Sequence, residues 1–236
     1  MTKFASITIT TLFLICGMLS SATAGDITGK ISFKGKVPAS VKIKMNADPK
    51  CVRMHSGKDV VSEQVVVNSN NTLRWVFIYV KKGLEGKKFE TPQKSVVLEQ
   101  KGCMYSPHVF GMMVNQPINI TNDDATLHNV HALAKNSAQF NIAQPKQGMK
   151  LTKTFTKSEV MVKVKCEVHN WMAAYIGVLD HPYYGVSDEK GQFEIKGLPA
   201  GEYEIEAWHE KYGAQTMKVK VDAAGAKTAD FAFEAK

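Results

Sequence analysis

Short runs in which Val, Ile, Phe and Tyr alternate with polar residues recur along the whole chain: "ITGKISF", "EQVVV", "RWVFIYV", "KSVVLE", "INITN", "VMVKV", "IGVLD", "QFEI", "EYEIEAW", "MKVKV" and "ADFAF". A period of two turns one face of each run toward a core and the other toward water, the mark of a half-buried strand. Gly, Pro, Asn and Asp separate the runs, and long segments with a helical period are missing from the sequence. The pattern predicts an all-β chain built of sandwiches. Within it, "SDEKGQFEIKGLPAGEYEIEAWHE" reads as a hairpin unit whose turns are "EKG" and "LPAG".

Length and composition add limits. The 236 residues suffice for one large domain or two small ones, and 44% apolar with 22% charged residues is ordinary for folded domains. The opening "MTKFASITITTLFLICGMLSSATAGD" has an early lysine, an apolar run and a small-residue Ala22-Thr23-Ala24 ending, the layout of a cleaved export signal over 1–24. No later run is long and apolar enough to span a bilayer, so the expected location is periplasmic or secreted. Loss of the signal removes Lys3, leaving 29 of the 30 basic side chains against 22 acidic ones, a net charge of about +7. The lysines are scattered and the arginines are only Arg53 and Arg74, which excludes the concentrated basic stripe of a nucleic-acid binder. Such a surface suits an acidic protein partner.

Export also changes the meaning of the cysteines. Cys16 leaves with the signal, so Cys51, Cys103 and Cys166 remain in an oxidising compartment, where two can pair and one is left over. One reading is a Cys51–Cys103 disulfide with Cys166 occupied by a metal. The other gathers Cys51, His55, Cys103 and His108 into a Cys2His2 cluster.

The leftover thiol lies in "VKCEVHNWMAAY", where Cys166, His169 and Met172 are each separated by two residues. A thiolate, an imidazole and a thioether suit a soft, redox-active metal, and a type 1 copper site needs one imidazole more. "PINITNDDATLHNVHAL" offers His128 and His131 after a strand-like run and a polar turn.

Residues 93–180, with "LHNVH" and the Cys-x-x-His-x-x-Met loop, resemble the cupredoxins of the amicyanin and plastocyanin type. The resemblance implies a Greek-key sandwich or barrel holding one type 1 copper ion through His128, Cys166, His169 and Met172. It leaves His131 unbound and makes Asn129 the group that ties the two ligand loops. It also implies single-electron transfer with a redox protein such as a c-type cytochrome or a periplasmic dehydrogenase. Electrons would cross at an exposed edge of His169, with Trp171 and Ala173 lining a docking patch. Two departures concern tuning: Asn170 replaces the family's proline, and Glu167 puts an anion in the loop.

The flanking sequence resembles a second family, the carboxypeptidase regulatory-like or transthyretin-like sandwiches. The carriers are Asp188, Gly191 and Phe193, then Leu198, Pro199, Gly201 and Tyr203, with "GDITGKISFKG" and "RWVFIYVKKG" as early strands. The implied division is an N-terminal β segment of that sandwich over 25–92, the cupredoxin domain over 93–180, and the rest of the regulatory-like sandwich over 181–236. The first sandwich is then either inserted in the second or followed by it.

Enzyme classes fare worse. A multicopper oxidase needs His-x-His pairs, a dinuclear copper centre needs a second cysteine in the loop, and a zinc peptidase needs Glu three residues after His; the sequence has none of these. The expectation is therefore an electron carrier and not a catalyst, with a copper chaperone or a protein- or glycan-binding module as the alternative.

Overall fold

The computed structural model describes residues 24–223 and 225–235. The export signal expected over 1–24 lies outside the described residues except for Ala24, which opens the first strand. Among the described residues no helix is long and apolar enough to cross a membrane.

Among the described residues the chain is all-β, with one short helix. It begins with β1 (Ala24–Lys34), α1 (Pro49–Met54) and β2 (Phe77–Lys82). A central run follows: β3 (Val96–Lys101), β4 (Met104–Ser106), β5 (Val109–Met113), β6 (Ile118–Asn122), β7 (His128–Ala132), β8 (Phe140–Gln144), β9 (Met149–Lys153), β10 (Glu159–Lys165) and β11 (Ala173–Leu179). The last are β12 (Tyr184–Val186), β13 (Gln192–Pro199), β14 (Gly201–His209), β15 (Gly213–Val221), β16 (Ala226–Thr228) and β17 (Phe231–Glu234).

Strands β3 to β11 form two facing sheets, ordered β5-β11-β10-β7-β8 and β4-β3-β6-β9. Their inward positions, among them Leu98, Tyr105, Met112, Ile120, Val164 and Ile176, make one core. The remaining strands form a second pair of sheets, β13-β1-β16 with β17 also on β1, and β12-β2-β14-β15. Ile27 and Ile31 of β1 share a second core with Ile78, Ile195, Ile205 and Phe233, so residues far apart in sequence close the same sandwich.

The two sandwiches meet through aromatic rings. Phe77 of β2 lies over Gly177 of β11, where a Cβ would sit 2.2 Å from its Cζ, and the Tyr184 ring covers Gly111 in the same way. A glycine at each point lets the ring reach the backbone. His108 Nε2 and Glu210 Oε1, 2.5 Å apart and both buried, add a polar tie.

One strand expected from the pattern does not form. "EQVVV" makes only one isolated bridge, Val67 with Leu73, because after a tight turn at 68–71 the chain runs back beside it for too few residues to build a strand. Without a neighbouring strand alongside, three valines in a row have no ladder to join. Conversely, α1 is too short for a periodic pattern to reveal. It starts where Asp48 accepts a hydrogen bond from Lys50 N (2.8 Å) and Pro49 takes the first turn.

Candidate metal centre

The site is built where β7 begins and β10 ends. Antiparallel pairing sets Lys165 opposite His131, which carries Cys166 to the level of Val130 and Glu167 to that of Asn129. The chain then turns tightly: Met172 N donates to His169 O (2.9 Å) and Cys166 N to Met172 O (3.2 Å), so the loop folds over its own ends. The structure thereby brings His128, Cys166 and His169 together, each nearly or fully buried. Met172 is buried in the same core cluster.

His128 Nδ1 and His169 Nδ1 are 3.0 Å apart, and Cys166 Sγ is 3.9 Å from the latter. One ligand atom from each of the three residues falls within a mutual 4.8 Å. The outer ring nitrogens are both held by carboxylates. His128 Nε2 lies 2.8 Å from Asp124 Oδ2, and His169 Nε2 lies 3.1 Å from Asp48 Oδ2.

Charge follows from these contacts. Burial would raise the Asp124 carboxyl, but His128 and the N–H groups of Cys103 and Gly102 outweigh it and hold it below the ordinary value. Burial opposes ionisation of Asp48 too, and is outweighed by bonds from Lys50 N, the His169 ring and the Thr126 hydroxyl. Burial lowers His128, yet Asp124 and the Cys166 sulfur carry it upward overall. For Cys166 burial pushes the thiol up, while His128 and backbone donors of Asn129, His169 and Val168 bring it below the usual thiol value. His169 is lowered, by burial and by the neighbouring His128 against the pull of Asp48.

Asn129 does what its position implies. Its Oδ1 accepts from Glu167 N (2.6 Å) and lies 3.3 Å from Cys166 Sγ, linking the two loops. Such outer contacts orient ligands. His131 stands apart, its Nδ1 2.6 Å from Glu167 Oε1 on the surface.

One expectation changes, and one pair of alternatives is resolved. His169 was to show an exposed edge, but it is 1% exposed, because α1 and Asp48 lie over it and Cys51 Sγ is 3.6 Å from Nε2. Cys51 and Cys103 form a disulfide, and the Cys2His2 alternative is absent, since His55 bonds to Gly102 O (2.7 Å) and His108 to Ala173 O (3.0 Å). Trp171 is half-buried, its ring 5.1 Å from that of His169 and its Nε1 donating to Cys103 O (2.9 Å).

The carboxylates escaped the sequence reading. Asp124 could have been flagged by standing four residues before His128; Asp48, 121 residues from His169, carries no local signal.

No protein-family model matches the chain, and no curated protein does. Among solved structures, part of the chain is similar to cupredoxins. A Cu-containing nitrite reductase from Thermus scotoductus SA-01 aligns at 21% identity and a TM-score of 0.34, over 39% of this chain and 24% of its own. A purple cupredoxin from Nitrosopumilus maritimus aligns at 21% and 0.31, over 35% of this chain and 98% of its own. A reduced amicyanin variant aligns at 22% and 0.32, over 38% and 86%. This chain thus spans about a quarter of the nitrite reductase's length. With scores this low, a metal reading has to stand on the donor atoms of this chain.

Those atoms fit a cation. An ionised carboxylate can only accept, so each Nε2 carries a proton, and in the neutral imidazole Nδ1 is the inward donor atom left for a cation. A proton that His128 shares with the Cys166 sulfur would leave when a metal binds, freeing two inward nitrogens 3.0 Å apart beside a thiolate. Metal–donor bonds of roughly 2.0–2.3 Å give trigonal edges of roughly 3.5–4 Å; the 3.9 Å between Cys166 Sγ and His169 Nδ1 falls in that range, and the 3.0 Å between the two Nδ1 atoms would have to widen.

Proposed function

We propose that the chain is an exported type 1 copper protein that carries single electrons between redox partners, with one copper ion held by His128, Cys166, His169 and Met172. The observation that supports this most is the pair of inward Nδ1 atoms beside the Cys166 sulfur, each fixed from behind by a carboxylate. When bound, copper supplies a one-electron couple. Cys166 is the anionic donor, Asp124 and Asp48 hold the imidazoles in the donating tautomer, and Asn129 fixes one loop against the other. Burial of all four residues excludes water. On this reading the protein is a carrier and not a catalyst, works in the periplasm or outside the cell, and exchanges electrons with a c-type cytochrome or a periplasmic dehydrogenase. The outer sandwich, with β1 and β2 beside β13 and β14, is in this proposal the carboxypeptidase regulatory-like unit.

The test is to add Cu(II) to the mature protein and record the visible spectrum. An intense blue thiolate-to-metal band is expected in the wild type and absent from Cys166→Ser. No band in the wild type, or its survival in the variant, overturns the reading. The cover over His169 favours a second reading, a copper-holding protein that hands its metal on. Quantitative Cu(I) transfer to an acceptor without a reversible potential would select it.

A further inference from the structure

We propose that Asp48 is a positioning residue for the loop imidazole, and that α1, pinned by the Cys51–Cys103 disulfide, is a latched cover controlling what reaches His169. The inference rests on His169 being a ligand of the proposed centre.

A six-residue helix does not hold itself together in water. Five ties hold this one or its flanks, and apart from Asp48 on His169 all run to two short segments. Lys50 Nζ donates to Ala125 O (2.9 Å) and Thr126 Oγ1 to Asp48 Oδ2 (3.0 Å). His55 bonds to Gly102 O (2.7 Å), and Cys51 is joined to Cys103. Those segments are the ones that fix the other imidazole. Asp124 accepts from Gly102 N (2.8 Å) and Cys103 N (2.7 Å), and from His128 Nε2. The disulfide therefore joins the turn that orients His128 to the helix that orients His169. With Asp48 Oδ2 at 3.1 Å and Cys51 Sγ at 3.6 Å from Nε2, the His169 ring cannot swing outward unless α1 lifts. A dithiol reductant would release the latch: it reduces the protein disulfide to two thiols and is itself oxidised to a disulfide.

The first measurements use the metal-free mature chain, so they remain readable even if copper does not bind. Nitrogen-15 NMR of the wild type should show His169 as the Nε2–H tautomer. Asp48→Ala should lose that preference, and Asp48→Asn, which keeps an acceptor, should retain it. Alkylation of Cys166 by iodoacetamide, followed by mass spectrometry of its peptide, should be at least tenfold faster in Asp48→Ala and in Cys51→Ser/Cys103→Ser than in the wild type. In the copper-loaded protein, metal loss to a chelator should accelerate to the same degree. A wild-type tautomer together with a wild-type alkylation rate in Asp48→Ala overturns the positioning role. A folded double-serine variant that protects Cys166 as well as the wild type overturns the latch. If the double variant does not fold, Asp48→Ala and alkylation of dithiol-treated wild type decide, unchanged Cys166 protection in the latter again overturning the latch.

Discussion

Asn129 Oδ1 receives the Glu167 amide at 2.6 Å, and its Nδ2 donates to Asn141 Oδ1 at 2.5 Å, so one side chain spans three segments. Truncation leaves a part-buried N–H unpaired, which costs about 1–3 kcal/mol. Asn129→Ala should therefore lower the urea midpoint of the metal-free protein by that order. A variant as stable as the wild type would show that other contacts hold the loop. The proposed ligand residues were legible because "CEVHNWM" and "LHNVH" compress them into two short words, and Asn129 because it adjoins one of them. Asp48 was not, since its contact with His169 exists only after α1 has been brought across the chain. The same long-range contact is why an exposed histidine edge was expected and a buried one is found: local spacing tells which atoms converge, and nothing about what lies over them.

Strands were legible where alternation met a partner. "INITN" became β6 because β3 and β9 lie on its two sides, whereas "EQVVV", with as many β-branched residues, found no continuous neighbour. Propensity proposes a strand and pairing decides it. The helix start at Asp48-Pro49 was a readable signal, yet six residues show no period. The junction of β2 with β11 was not readable, because it depends on a missing side chain. At Gly177 an added methyl would meet the Phe77 ring, which is fully buried and cannot step aside. Gly177→Ala should cost about 1–3 kcal/mol by overpacking. Phe77→Leu removes the opposing atoms, so the double variant should be less destabilised than the sum of the singles. Strict additivity in urea unfolding would show that the ring and the glycine do not press on each other.

The two sandwiches are tied by groups that also set how the molecule meets acid. His209, at the end of β14, is 1% exposed, and its Nδ1 accepts from Lys211 N (3.1 Å) and Tyr212 N (3.3 Å). Burial lowers its pKa to about 4, with the pull of Glu210 and the push of His108 as smaller effects. An unfolded histidine titrates near 6.5, so below that pH the unfolded chain binds a proton that the folded chain refuses, and stability falls until about pH 4. The shift corresponds to roughly 3 kcal/mol over that window. Glu210 acts lower on the scale. Burial would raise it, but His108 and Tyr175 hold it below the ordinary carboxylate value, so its contribution is intact above about pH 4.5 and is lost beneath it. Between pH 6.5 and 4.5, then, His209 is the member of this pair that sets the slope. Urea unfolding from pH 7 to 4 should show the wild type losing stability steadily. His209→Asn, which keeps an acceptor and cannot titrate, should be flatter by most of that roughly 3 kcal/mol. A parallel profile in the variant would mean that His209 is charged in the folded chain and that water reaches its ring beside Tyr212 and Phe233.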